Sequence, residues 1–133
     1  MKGSCLCGDV KFVITGDIQS FYLCHCIYCK KGSGSAAAAN LFVASADIHW
    51  LAGESLRVFY QVPNSLHVRC FCSQCGSPVP MVLDESGLVM LPAGCLDDDI
   101  TKAPDAHIFI KREAQWERQA VHAKCFAGEP DSY

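Results

Sequence analysis

Short apolar runs separated by turn-forming residues set the pattern of this chain. Val10, Phe12 and Ile14 alternate with more polar neighbours and meet Gly16-Asp17, which predicts a strand ending in a turn. Phe21 to Leu23, Asn40 to Ala44 and His107 to Ile110 are further runs of strand length. Arg57 to Gln61 and Leu66 to Arg69 flank Pro63-Asn64, a predicted turn. Val79 to Leu83 and Leu88 to Leu91 flank Asp84-Glu85-Ser86-Gly87, which predicts a hairpin. Helix signals are sparse. Lys111 to Lys124 holds helix formers around Ala114, Trp116 and Ala120 without an apolar stripe at helical spacing. Ala36 to Ala39 has the propensity to begin a helix but is short. Strands at this spacing, with Gly and Pro between them, predict an all-β sandwich or barrel with few short helices.

Half of the 133 residues are apolar, and no repeat, linker or low-complexity tract divides them, so one domain is expected over residues 1–133. A domain this small gains from a metal staple. The net charge of −3 leaves no electrostatic footprint for nucleic acid or an anionic membrane. The first residues lack the apolar core of a secretory signal, and no stretch approaches the ~20 apolar residues of a membrane span. A cytoplasmic location, where thiols stay reduced, is therefore expected. No feature of the pattern specifies an oligomeric state.

The ten cysteines change the picture most. Eight fall in three tight clusters: Cys5 and Cys7; Cys24, Cys26 and Cys29; and Cys70, Cys72 and Cys75. Cysteines two or three positions apart suit a disulfide poorly but aim several sulfurs at one centre, as a tetrahedral metal requires. Cys72-Ser73-Gln74-Cys75-Gly76 has the form of a zinc knuckle, and no βαβ pattern surrounds it to favour a thioredoxin-type redox pair. A closed structural site wants four ligands, which the pairs Cys5/Cys7 and Cys72/Cys75 supply. Cys24, Cys26 and Cys29 then remain, and three ligands with one open position is the pattern of a catalytic zinc. Other combinations of the clusters satisfy the same count. Three thiolates nearly quench the Lewis acidity of zinc, so such a site ionises water poorly. It suits a fourth sulfur instead, since a thiol bound to zinc is deprotonated. The chemistry expected is activation of a thiol as a nucleophile.

The motifs G-S-C-L-C-G, C-H-C-I-Y-C-K-K, S-G-S-A, F-C-S-Q-C-G-S and H-I-F followed by Trp116 occur in this order from Gly3 onward. In this set the chain resembles the glutathione-dependent formaldehyde-activating enzyme family, which includes centromere protein V. The resemblance implies a compact zinc-stapled β-sandwich similar to methionine sulfoxide reductase B, with two zinc ions per chain. It implies Cys5, Cys7, Cys72 and Cys75 on a structural zinc, and Cys24, Cys26 and Cys29 on a catalytic one. The implied activity is that of a carbon–sulfur lyase, with glutathione adding reversibly to formaldehyde or a related small aldehyde. A non-catalytic zinc module mediating protein interaction is the alternative, and the acidic balance speaks against a chromatin partner.

Other residues carry weaker signals. His25, between two candidate ligands, reads as a base behind the metal, a fourth ligand or a packed ring. His107 reads as a core or hydrogen-bonded histidine, and His49, His67 and His122 as ordinary strand or surface residues. Lys30 and Lys31 could attract a substrate carboxylate or simply be solvated, and Ser33-Gly34-Ser35 could shape a pocket or form a turn. Cys95 is expected to be a buried apolar residue, Cys125 an exposed thiol, and Asp97-Asp98-Asp99 a solvated loop. Cys70 is close enough to Cys72 in sequence to compete for metal.

Overall fold

Two long antiparallel strands organise the computed structural model, which describes residues 1–83 and 85–130. β2 (Lys11–Cys24) and β3 (Ala38–Ala52) pair along almost their whole length. Around them a curled sheet is completed by β1 (Lys2–Ser4), β7 (Val89–Pro92) and β6 (Met81–Val82) in the order β1-β2-β3-β7-β6. β8 (Ala106–Ile108) adds in parallel beside the end of β2. β4 (Arg57–Gln61) and β5 (Val68–Cys72) form a separate two-stranded sheet. The protein is mostly β, as expected.

The predicted stop at Gly16-Asp17 is corrected: β2 runs through it. The pairing register shifts between Thr15 and Asp17 and again between Ile18 and Ser20, where β2 gains one residue on its partner. That extra residue reverses which face points inward, so Phe12 and Ile14 before it and Phe21 after it all reach one core. Gly16 allows the first irregularity, since its φ of +131° and a hypothetical Cβ 2.7 Å from the Ala44 carbonyl exclude a larger residue.

Two apolar clusters result. Phe12, Ile14, Leu41, Val43, Val89 and Leu91 are wholly buried in the first, and burying each such side chain contributes about 1.5–3 kcal/mol. The second joins Val10, Val79 and Met81 to Cys5, Cys70 and Cys72, so sulfur is part of this smaller core.

The helix expectations need correction too. Ala38 and Ala39 open β3 instead of a helix. Lys111 to Lys124 forms 3₁₀ turns, at Ile110–Arg112 and Gln115–His122. The α-helix of the described residues, α1 (Ile27–Ser33), lies within the second cysteine cluster. The strand expected at Leu66 to Arg69 lies further on, as β5 at Val68–Cys72, whereas other elements agree more closely. β4 has the expected limits, Asn64 takes a φ of +57° in the predicted turn, and β6 and β7 pair as a hairpin whose Asp84 lies outside the described residues. No described helix is long and apolar enough to cross a membrane.

Candidate functional site

The sequence puts two sulfurs on each of two turns of similar design. In the first, the Gly8 N–H donates to the Cys5 carbonyl at 2.9 Å, and Gly8 adopts φ +78°. In the second, the Gly76 N–H donates to the Cys72 carbonyl at 2.8 Å, and Gly76 adopts φ +74°. Both left-handed conformations favour glycine. Each turn also aims a backbone N–H at sulfur: Val10 N–H at Cys5 Sγ (3.3 Å) and Gln74 N–H at Cys72 Sγ (3.4 Å). The turns are docked by Ser77, whose Oγ accepts from the Leu6 N–H at 3.1 Å and lies 3.4 Å from Cys75 Sγ.

The sulfurs of Cys5, Cys7, Cys72 and Cys75 thereby come within 4.8 Å of one another. Cys5 and Cys7 are 3.4 Å apart, and Cys7 and Cys72 3.9 Å. Tetrahedral zinc with bonds of ~2.3 Å separates its sulfurs by about 3.8 Å, so the donor set fits that ion. Electrostatics agrees. The Ser77 hydroxyl and N–H draw the Cys75 thiol down to about 5. At Cys7 the Asp9 N–H favours the thiolate, but the neighbouring sulfurs and burial together carry it up to about 12. Four sulfurs this close resist ionising together unless a cation lies among them.

Cys24, Cys26 and Cys29 also gather within 4.8 Å. Buried Cys24 ends β2, held between Ala38 of β3 and Ile108 of β8. Cys26 is the N-cap of α1, its Sγ accepting the Cys29 N–H at 3.3 Å. Cys29 follows in the first turn. Burial raises the Cys24 and Cys29 thiols, with the adjacent sulfurs adding to the effect at Cys29. At Cys26 burial also opposes ionisation, but the Cys29 N–H and the other hydrogen bonds outweigh it and lower the thiol. The three sulfurs can hold a zinc ion and leave one coordination position free.

Cys29 faces a cavity of about 640 Å³, lined also by Tyr28, Ser33, His67, Arg69 and Cys70. Here the sequence reading is corrected for His67, which lines the cavity and packs against Tyr28 with ring centroids 5.2 Å apart. Cys70 lies in the cavity wall, outside the four-sulfur group. Lys30 donates to the Arg112 carbonyl, whereas Lys31 lines a smaller adjoining cavity. Gly34 ends α1 in a left-handed C-cap and Ser33 donates to the Cys29 carbonyl at 2.8 Å, so this stretch both turns the chain and borders the pocket. Asp97 and Asp98 are more than a solvated loop: they accept from Ser4 Oγ (2.8 Å) and the Lys2 N–H (2.6 Å), fastening β1. Cys95 is buried and Cys125 exposed, as expected, and none of the ten cysteines forms a disulfide.

His25 is wholly buried behind the three-cysteine cluster. Its Nε2 lies 2.9 Å from His107 Nδ1, and its Nδ1 3.1 Å from Glu117 Oε2, although out of line for a hydrogen bond. His25 turns opposite nitrogens to its two partners, and one donor atom from each of the three residues lies within 4.8 Å of the others, so this group too could hold an ion. Glu117 and Arg69 carried no sequence signal. Each joins the site through a contact distant in sequence, which no local spacing encodes.

No curated protein matches this chain significantly. Among solved structures, a crystal structure of a Rhodobacter sphaeroides protein is similar, with a TM-score of 0.59 over 80% of this chain and 99% of that one. At 18% identity the likeness concerns the fold. The family model of the glutathione-dependent formaldehyde-activating enzyme matches residues 1–112, which include the cysteines of both the four-sulfur and the three-sulfur group. This chain belongs to the glutathione-dependent formaldehyde-activating enzyme family.

Proposed function

We propose that the protein is a zinc-dependent carbon–sulfur lyase that adds a thiol such as glutathione, reversibly, to formaldehyde or a related small aldehyde. In this reading Cys24, Cys26 and Cys29 hold the zinc at which the reaction occurs. Cys5, Cys7, Cys72 and Cys75 hold a second, structural zinc. The observation that carries the reading is a three-sulfur cluster within 4.8 Å whose Cys29 opens on a large cavity. Cys5 borders the same cavity, but four sulfurs would leave an ion no free coordination position, whereas three would leave one.

Bound there, zinc supplies a coordination position at which a thiol loses its proton. The chain does the rest. Cys24, Cys26 and Cys29 would hold the ion, and the Cys29 N–H neutralises part of the charge on Cys26. The cavity walls hold the substrate so that its sulfur meets the aldehyde carbon within one enclosure. Atoms balance: a C–S bond forms as the C=O π bond breaks, and the thiol proton ends on the former carbonyl oxygen. Thiols must stay reduced for this chemistry, which fits a cytoplasmic setting.

Exchange NMR of the glutathione–formaldehyde adduct tests the proposal, with zinc per chain measured in the same sample. Acceleration that disappears in Cys29→Ser supports it. A protein carrying two zinc ions that leaves the exchange rate unchanged would sink it.

A further inference from the structure

A second cavity, of about 290 Å³, adjoins the first at α1. The two share Tyr28, Gly32, His67 and Arg69, so one groove runs from Cys29 past Arg69 towards Tyr60 and Val62. Arg69 is the cation at this junction. Its Nη2 donates to the Gly32 carbonyl at 2.7 Å, and its guanidinium lies 5.4 Å from the Phe71 ring. No carboxylate of the described residues pairs with it. Asp97, the acidic group that lines the larger cavity, is absent from the smaller one. A half-buried guanidinium without a counter-ion has donors to spare and presents them as a planar fork suited to a carboxylate.

The sequence of α1 makes this arrangement possible. Gly32 stands three residues after Cys29, on the same side of the helix and about 4.5 Å along it. A Cβ at Gly32 would lie 2.9 Å from Arg69 Nε, so glycine leaves the space into which the guanidinium fits. The gap costs helix propensity at that position. Cys29 and Gly32 therefore stand about one helical turn apart on α1, and Arg69 of β5 packs against the second of them.

We infer that Arg69 is a specificity-determining residue, anchoring a carboxylate of the thiol substrate while its sulfur occupies the three-cysteine centre. The inference rests on the thiol reading above and adds a residue and a direction to it: the substrate lies along the groove with its anionic end at the shared junction. Gly32 acts as a positioning residue through Arg69. The competing role for Arg69 is structural, a cation satisfying a carbonyl near the C-terminus of α1.

Calorimetric titration of the zinc-loaded chain with glutathione and with its diethyl ester separates these roles. Both ligands carry the same thiol, and esterification removes the carboxylate charge. Wild type is expected to bind the free acid about ten- to a hundredfold tighter than the ester, the scale of a charge-assisted hydrogen bond. Arg69→Met brings the acid down to the level of the ester and leaves the ester unchanged. Gly32→Ala displaces the guanidinium without removing it and gives an intermediate ratio. It also decides the matter if Arg69→Met fails to fold. Equal binding of acid and ester by wild type, or equal weakening of both in the variants, overturns the role of Arg69 and leaves the thiol reading standing. If a protein with two zinc ions binds neither ligand, both fall.

Discussion

The backbone N–H of Cys29 donates to the sulfur of Cys26 across 3.3 Å, so a metal-ligand candidate doubles as the N-cap of α1. Caps are usually Ser, Thr, Asp or Asn. Here the sulfur that would bind the ion also starts the helix carrying Cys29 and Gly32, and the site and the helix therefore form together.

Substitutions at Cys26 can separate these two duties. Cys26→Ser keeps a side-chain acceptor at the N-cap and removes the thiolate, whereas Cys26→Ala removes both. Elemental analysis should give about one zinc per chain for either variant, against two for wild type. With metal content equal, thermal or chemical unfolding should show Cys26→Ala less stable than Cys26→Ser by about 1 kcal/mol. Equal stabilities would show that the sulfur does not cap.

The four-sulfur group should matter far more to folding. Cys72 is wholly buried in the smaller core, and it links a hairpin to the N-terminal turn. Structural zinc contributes about 10–16 kcal/mol at neutral pH, comparable to or above the whole stability of an ordinary domain. Strong chelation should unfold the protein, and restored zinc should refold it under reducing conditions, as followed by circular dichroism. Cys24→Ser should remain folded with one zinc under conditions where Cys72→Ser does not.

Gly53 tests how the N-terminal turn is supported from outside. At φ +67°, its missing Cβ would lie 2.2 Å from the carbonyl oxygen of Asp9, the residue after Gly8. Gly53→Ala combines a left-handed backbone with a clash against main chain and should cost about 2 kcal/mol or more in denaturant unfolding. Gly94→Ala, where a Cβ meets nothing within 4 Å, should stay within about 0.5 kcal/mol of wild type.

Burial first, and then the charge of Arg69, push the His67 imidazole below its ordinary value of 6.5. Between the unfolded and folded values, the unfolded chain binds the extra proton. The contribution of His67 to stability is therefore present above 6.5 and is lost as pH falls through the folded value. Denaturant titrations from neutral pH downward should show a shallower loss of stability in His67→Gln than in wild type. Parallel curves would mean that His67 has no folded-state shift.

Much of the β pattern was legible because its signals are local. β4 is a five-residue run with Val58, Phe59 and Tyr60 at its centre, beside a turn that Pro63 and Asn64 specify by themselves. The cysteine clusters were legible for the same reason: C-x-C and C-x-x-C spacings restrict where sulfurs point whatever the rest of the chain does. At Gly16 the local signal misled. A glycine followed by aspartate usually turns the chain, but pairing with β3 on one side absorbed the irregularity as a register shift. The α1 segment, Ile-Tyr-Cys-Lys-Lys-Gly-Ser, has a weak intrinsic preference for helix and owes its start to a sulfur acting as a cap.

The sequence by itself thus determined the class of fold and the local cysteine clusters, through steric constraints acting within a few residues, whereas the joining of Cys5 and Cys7 to Cys72 and Cys75 is a long-range contact. Tertiary structure alone decided what surrounds them. Arg69 meets Gly32 across 37 positions because β5 lies against α1. Glu117 meets buried His25 because the C-terminal 3₁₀ turns fold back over the end of β2. Contacts of this kind depend on strand register and on which surfaces bury each other, so their energy is shared across the whole chain and leaves no period or motif at the residues that make them.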